Sequence, residues 1–219
     1  MRFRLFMVLW LCLIFSGITT YAQLDTLTYS LEGNTLQPNL KFPQSNSSPF
    51  KQYFNYRGIK ISKYYEILDS LAIDSKHRVL ILSTIVQQGD YNSSIPISEG
   101  KRLLVLLRNT GGKWTIDYVN ENVILNTDYS QSEPYQGIKR DSAGFSLKYF
   151  IGSVNKCTFI FHFKLEDDNF YLNKYLTDCY KIDLSSHKKK EHNYKDKIEG
   201  RNLQNIRIEG YLEIQDMGE

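Results

Sequence analysis

The chain has 219 residues, 42% of them hydrophobic, with 27 Lys and Arg against 24 Asp and Glu. Two of the basic residues, Arg2 and Arg4, lie in the N-terminal segment read below as a signal peptide, and 27 less these two leaves 25 basic residues against 24 acidic. So even a balance gives no global argument for nucleic acid or anionic lipid as a partner, and three cysteines exclude a cysteine-dense scaffold.

The N-terminus comes first in chain order. Arg2 and Arg4 precede a continuous apolar run from Leu5 to Phe15, and small or polar residues lead to Thr20-Tyr21-Ala22-Gln23. This is the pattern of a secretory signal peptide cleaved between Ala22 and Gln23. The run falls short of the ~20 residues that span a bilayer, which argues against an uncleaved anchor. Cys12 sits inside it behind Leu11, the wrong context for lipid attachment. Residues 1–22 are therefore read as a signal peptide and the mature protein as exported, periplasmic or secreted, with no stable membrane insertion.

Residues 23–50 read as a polar lead-in, with prolines at 38, 43 and 49 and one strand near Thr26–Leu31. No comparable linker follows, so residues 51–219 read as a single β-rich domain, long enough to build a core. Lys63 to Leu71 (KYYEILDSL) offers a helical turn or two. Val79-Leu80-Ile81-Leu82 and Leu103–Leu107 are continuous apolar runs, expected of strands buried on both faces. Between Leu107 and Trp114, Gly111-Gly112 stands either as a ligand loop or as a turn. A phosphate loop needs a helix N-terminus after its glycines. Here Trp114, Ile116 and Tyr118 alternate with Thr115, Asp117 and Val119 as one more strand, so a hairpin is predicted. Phe145, Leu147 and Tyr149 keep the same period. So do Phe159, Phe161, Phe163 and Leu165, with Thr158, His162 and Lys164 opposite. Ile206, Ile208 and Tyr211 suggest a last strand. The fold class is mainly β, one domain of antiparallel sheet, a sandwich or an incomplete propeller-like array, with little helix.

Asp167-Asp168 lies between two alternating strands, where Asp favours a turn, and adjacent side chains point apart rather than flank one bond. That hairpin also decides the cysteines. With a four-residue loop at 166–169, Phe163 faces Leu172 and Cys157 faces Asp178. With a loop one residue longer or shorter, Cys157 and Cys179 become neighbours. The apolar match favours the first register and an oxidising compartment the second, so a Cys157–Cys179 disulfide stays open.

Chemistry-bearing motifs are sparse. Gly144-Phe145-Ser146-Leu147-Lys148 fails the last position of a G-x-S-x-G elbow, and neither H-E-x-x-H nor Cys-x-x-Cys occurs. The histidines are His77, His162, His187 and His192. The last two flank Lys188-Lys189-Lys190, a charge run read as a solvated loop and poor surroundings for a metal.

Three stretches, "KYYEILDSLAIDSKHRVLILS", "GKRLLVLLRNTGGKW" and "EPYQGIKRDSAGFSLKYFIGSVNKCTFIFHFKLEDDNFYL", occur in that order. In this the chain resembles a group of uncharacterised exported bacterial proteins of Bacteroidetes type, periplasmic or lipoprotein-like. The resemblance implies export and a β-architecture, and it carries no activity. In the group the opening loop often resembles the D-x-N-x-D-G calcium loop of propeller-type repeats. Here Asp74 keeps one acidic position, whereas Ser70, Ala72, Ser75 and Arg78 replace the other ligands and the glycine, so no calcium is expected. Glu133-Pro134 stands where the group has Asp-Pro.

With no coherent catalytic, metal or cofactor set, the function read from the sequence is a non-enzymatic domain of the cell envelope that binds a protein or glycan. An immunity or inhibitor protein for an exported toxin is one version. The alternative is an envelope hydrolase with dispersed acid and base groups, for which Asp128, Glu133 and His162 are the candidates.

Overall fold

The computed structural model describes residues 29–38, 52–84, 101–126, 133–196 and 199–212. Residues 1–22, read above as a signal peptide, the expected cleavage pair Ala22–Gln23 and Asp128 lie outside these. Among the described residues thirteen strands follow in chain order: β1 (Tyr29–Glu32), β2 (Thr35–Pro38), β3 (Tyr53–Tyr56), β4 (Ile59–Ser62), β5 (Tyr65–Ala72), β6 (His77–Thr84), β7 (Arg102–Thr110), β8 (Lys113–Asn120), β9 (Tyr135–Arg140), β10 (Gly144–Ile151), β11 (Asn155–Glu166), β12 (Asn169–Lys181) and β13 (His187–Asn193). Two 3₁₀ turns, Glu199–Arg201 and Ile208–Tyr211, come after them. The strands form three sheets ordered β1-β2-β4-β3, β5-β6-β7-β8 and β13-β12-β11-β10-β9. All neighbours are antiparallel except β2 and β4. The domain is mainly β, built in layers.

The middle layer explains the apolar runs. Successive side chains of a strand point to opposite faces. On one face Val79, Ile81, Leu104 and Leu106 pack with Phe145, Leu147, Tyr149, Phe159, Phe161 and Phe163 of the five-stranded sheet. On the other, Leu80, Leu82, Leu103, Val105 and Leu107 pack with Leu36, Ile59 and Ile61 of the first sheet. A strand buried on both sides has no position to give to a polar residue, so its sequence reads as an unbroken apolar run.

Gly111 and Gly112 form a two-residue hairpin turn between Thr110 and Lys113. Their φ angles of 61° and 87° are both positive, as a primed turn requires.

Four expectations change. Residues 29–38 carry two strands rather than one, and Leu36 is fully buried against Ile59 and Ile61. Lys63–Leu71 belongs largely to strand β5 and not to a helical turn. A bulge at Leu68 inserts a residue between Ile67 and Asp69, so Tyr65 faces the second core while Leu71 packs against the first. Trp114 and Ile116 do not share a face with Tyr118. A bulge at Asp117 turns Tyr118 into the first core and lets Val119 join Trp114 and Ile116 in the second. Finally, Ile206, Ile208 and Tyr211 do not form a strand. Asn120, buried, donates from its amide to the carbonyls of Leu203 and Ile206, and Ile208 N–H donates to Asn122. Leu203, Ile206, Ile208 and Leu212 plug the first core at irregular intervals instead of every second residue.

At the β11–β12 hairpin both expected registers occur in succession. Asp167 and Asp168 form a two-residue turn with φ of 51° and 61°, and Phe163 faces Leu172 as the apolar pattern requires. A bulge at Asn173 then shifts the pairing by one, so Cys157 faces Cys179, buried, and the two are joined as a disulfide. The bulge is anchored, since the Asn173 carbonyl accepts a 2.7 Å hydrogen bond from Tyr194 N–H.

Candidate functional site

Two loops meet at one end of the five-stranded sheet, beside the disulfide. The first, Gly152-Ser153-Val154, links β10 to β11. Gly152 has φ of 114°, and a Cβ there would fall 1.8 Å from the Asn155 carbonyl, so only glycine fits. The second, Ile182–Ser186, links β12 to β13. Its turn is closed by Leu184 N–H to Lys181 O at 2.8 Å and Ser185 N–H to the Asp183 carboxylate at 2.9 Å. Ile182 N–H donates to Val154 O at 3.0 Å and ties the loops together. Three residue pairs further in from Val154 and Ile182, the disulfide locks β11 to β12.

This rigid tip holds apolar side chains in water. Among the described residues six large hydrophobic side chains are exposed, and the three most exposed are Leu184 at 75%, Val154 at 64% and Ile182 at 60%. Leu184 has φ of 60°, a conformation that suits Gly or Asn and costs a branched residue about 1–2 kcal/mol. Tyr180, Leu184, Ser186 and His187 line an open hollow of about 370 Å³. By strand pairing Lys156 lies opposite Tyr180, and Lys188, Lys189 and Lys190 follow His187 along β13, opposite Cys179, Asp178 and Thr177. The Asp178 carboxylate accepts a 2.6 Å hydrogen bond from His187 Nε2. Hydrogen bonds from Ser185 hold the Asp183 carboxyl below the usual aspartate range. The tip is apolar at its apex.

The sequence placed Lys188–Lys190 in a loop, whereas they occupy edge strand β13. Lysines on an edge strand discourage further strand pairing, which accounts for their density without a metal or nucleic acid. His187 and His192, five apart on that strand, point to opposite faces, and His192 stacks flat on Tyr175 at 4.3 Å between ring centroids. Among the described residues no three His, Cys, Asp or Glu side chains converge to hold a metal ion.

Of the hydrolase candidates, Glu133 and His162 lie apart, and Asp128 is outside the described residues. Glu133 forms a bidentate ion pair with Arg102, a buried guanidinium that also donates to Leu125 O at 3.0 Å. Burial pushes the Glu133 carboxyl up, but the hydrogen bonds from Arg102 and from Tyr135 N–H outweigh it and leave the group below the usual glutamate range. Such a carboxylate is poor as a base and is not available as an acid. His162 lies on the outer face of β11, 3.2 Å from Asp141, with Nε2 buried. The register puts it four rows from Phe150, which binds Pro134 O beside Glu133, so roughly 13 Å separates them along the strands.

Asp74 is likewise committed. Its carboxylate accepts from Lys76 N–H and His77 N–H at 2.7 and 2.6 Å and pairs with the His77 ring at 3.0 Å. The His77 ring is buried edge-on to Phe170, where no substrate reaches it.

Sequence reasoning missed Val154, Ile182 and Leu184. A signal was there, because a lone large aliphatic residue inside a short polar loop, as in Asp183-Leu184-Ser185-Ser186, has no core to enter. Comparison of the chain with protein-family models, with curated proteins and with solved structures finds no match.

Proposed function

We propose that this chain is a non-enzymatic interaction domain, exported to the cell envelope, that engages another envelope component through the tip formed by the 152–154 and 182–186 loops. The observation that carries the reading is the convergence of Val154, Ile182 and Leu184, the most exposed large hydrophobic residues described, on loops fixed to each other and to a disulfide. A rigid surface loses little conformational entropy on binding. The separation of Glu133 from His162, and the engagement of Glu133 by Arg102, support binding over hydrolysis. Export rests on the signal-peptide pattern of residues 1–22.

The test is affinity recovery from the cell envelope, with the wild-type chain and a Val154→Ser, Ile182→Ser, Leu184→Asn variant run side by side. One component recovered with the wild type and lost with the variant supports the reading. Equal recovery by both would remove the tip from it. Hydrolytic activity that Glu133→Gln or His162→Ala abolishes would replace binding by catalysis.

A further inference from the structure

We infer that the outer face of the five-stranded sheet is a second binding surface and that it takes an acidic polysaccharide; this stands apart from the reading of the tip. Strand pairing fixes what the face presents, because paired residues share a side of a sheet and successive ones alternate. Leu147, Tyr149, Phe159 and Phe161 point into the larger core, so the rows between them point away from it. Lys148, Ile160, Leu176 and Glu191 pair across four strands as one such row, and Phe150, Thr158, Asp178 and Lys189 as the next. Lys139 pairs with Ser146 in the row before these, and Lys156 with Tyr180 in the row after.

The charge on this face is one-sided. Asp178 is 2.6 Å from His187, and Glu191 is 3.9 Å from Lys174. Asp141, in the turn before β10, is 3.2 Å from His162, and Glu166 is 2.7 Å from Lys164. Asp183, in the loop beyond Tyr180, accepts from Ser185 N–H and lies beside Lys181. Each of these acids is answered. Among the described residues the ammonium groups of Lys139, Lys148, Lys156 and Lys189 have no hydrogen-bond or ion-pair partner. Three of the four are exposed and Lys156 is half-buried. They stand around a half-buried floor of Phe150, Thr158, Ile160 and Leu176 instead of converging on one point. With strands about 4.8 Å apart and like-facing rows about 6.7 Å apart, the four spread over roughly 20 Å in each direction. That is too wide for one small anion and suits charges repeated along a chain.

The other side chains select among polyanions. No arginine lies on these four rows, so the face has no planar fork for a phosphate. The centre of the floor is aliphatic, which gives nucleic-acid bases no ladder to stack on. Protein interfaces anchor on Trp, Tyr and Arg and are depleted in Lys. No large hydrophobic side chain of the floor is exposed, so nothing on the face enters an acyl layer. A carboxylated sugar chain meets what is there: carboxylates at the lysines, and sugar hydroxyls at Ser146, Thr158 and Asn193.

The experiment measures binding of the exported chain to polygalacturonate, neutral dextran, polyglutamate and vesicles containing phosphatidylglycerol, at low and at physiological salt. The face variant carries Lys139→Gln, Lys148→Gln, Lys156→Gln and Lys189→Gln. The control loses the same charge elsewhere, through Lys60→Gln, Lys76→Gln, Lys113→Gln and Lys190→Gln. Lys190 lies on β13 but in the core-facing row of Phe159 and Thr177, and the other three lie outside this sheet. Wild type is expected to bind polygalacturonate, more weakly as salt rises, and to leave dextran. The face variant is expected to lose about two- to five-fold per lysine, at least about ten-fold in all, with Tm unchanged. The control is expected to bind within about two-fold of wild type. Equal loss in both variants would assign the attraction to overall charge and overturn the surface. Polyglutamate or vesicles bound as tightly as polygalacturonate would overturn the polysaccharide, and wild type that ignores polygalacturonate would end the inference without touching the tip.

Discussion

Glu133 shows how a residue suspected of chemistry serves structure. Arg102 is almost fully buried, and its charge is tolerated because Glu133 and the Leu125 carbonyl answer the guanidinium. Glu133→Gln removes the countercharge and leaves a buried cation. Breaking such a pair costs about 3–5 kcal/mol in a closed interior, and a value of about 2 kcal/mol is expected here because water reaches Glu133. The pH dependence follows from the lowered carboxyl. A group whose pKa falls on folding gives its stabilisation in full above its unfolded value, ordinarily 4.5 for Glu and 3.8 for Asp, and loses it as pH drops through the folded value. Asp74 adds to the same slope, since hydrogen bonds from His77 and Lys76 outweigh the upward push of burial. Urea midpoints are therefore expected to hold between pH 7 and 5 and to fall steeply below 4.5, with the fall shallower in Glu133→Gln. A variant with an unchanged acid profile would place the titration elsewhere. Asn120 gives a second test at this scale. Asn120→Ala strands the Leu203 and Ile206 carbonyls in the core and is expected to cost about 2–3 kcal/mol by urea denaturation.

At the scale of elements, what the sequence conceals is the bulge. Strict alternation in Phe159, Phe161, Phe163 and Leu165 gave the inward face of β11 correctly, because that strand has no inserted residue. On the partner strand the extra residue is Asn173, which resembles any other polar position in a string of letters. One inserted residue moves every later side chain to the opposite face. Two plausible registers therefore seemed exclusive when the strand uses one before Asn173 and the other after it. The bulges at Leu68 and Asp117 act in the same way, sending Tyr65 and Leu71 to different cores and Tyr118 away from Trp114 and Ile116. The disulfide depends on the Asn173 bulge and closes a loop 22 residues apart in sequence. Loss of a loop constraint of that size is worth about 3 kcal/mol in the chain-entropy account. Cys157→Ala with Cys179→Ala is thus expected to lower Tm by roughly 6–12 °C for a chain of this length. The tip should also lose definition, seen as faster amide exchange in residues 152–154 and 182–186. A Tm change with no change at the tip would mean that the disulfide supports the sheet alone.

For the molecule as a whole, the central sheet carries two different burdens. Its β6 and β7 are hydrogen-bonded on both edges and covered on both faces, so their amides open only when both cores open. The outer sheets each share just one core with it. The first sheet is the smaller partner, with Leu36, Ile59 and Ile61 as its fully buried aliphatic contacts and Leu31 exposed on edge strand β1. Its detachment would expose one face of β6 and β7 while leaving the larger core intact. Amide exchange followed by mass spectrometry should therefore rank residues 77–84 and 102–107 as the most protected, residues 157–163 next, and residues 29–38 and 53–62 as the least. Ile61→Ala separates a graded opening from a single global one. The truncation is expected to cost about 2–4 kcal/mol locally, to speed exchange in residues 29–38 and 53–62, and to leave residues 145–163 unchanged. If exchange instead rises by the same factor across all three sheets, the layers open as one unit. The tip would then share the stability of the whole domain. Under the graded alternative it sits on the most independent part of the fold, the five-stranded sheet with its own disulfide, and stays formed while the far side of the molecule opens.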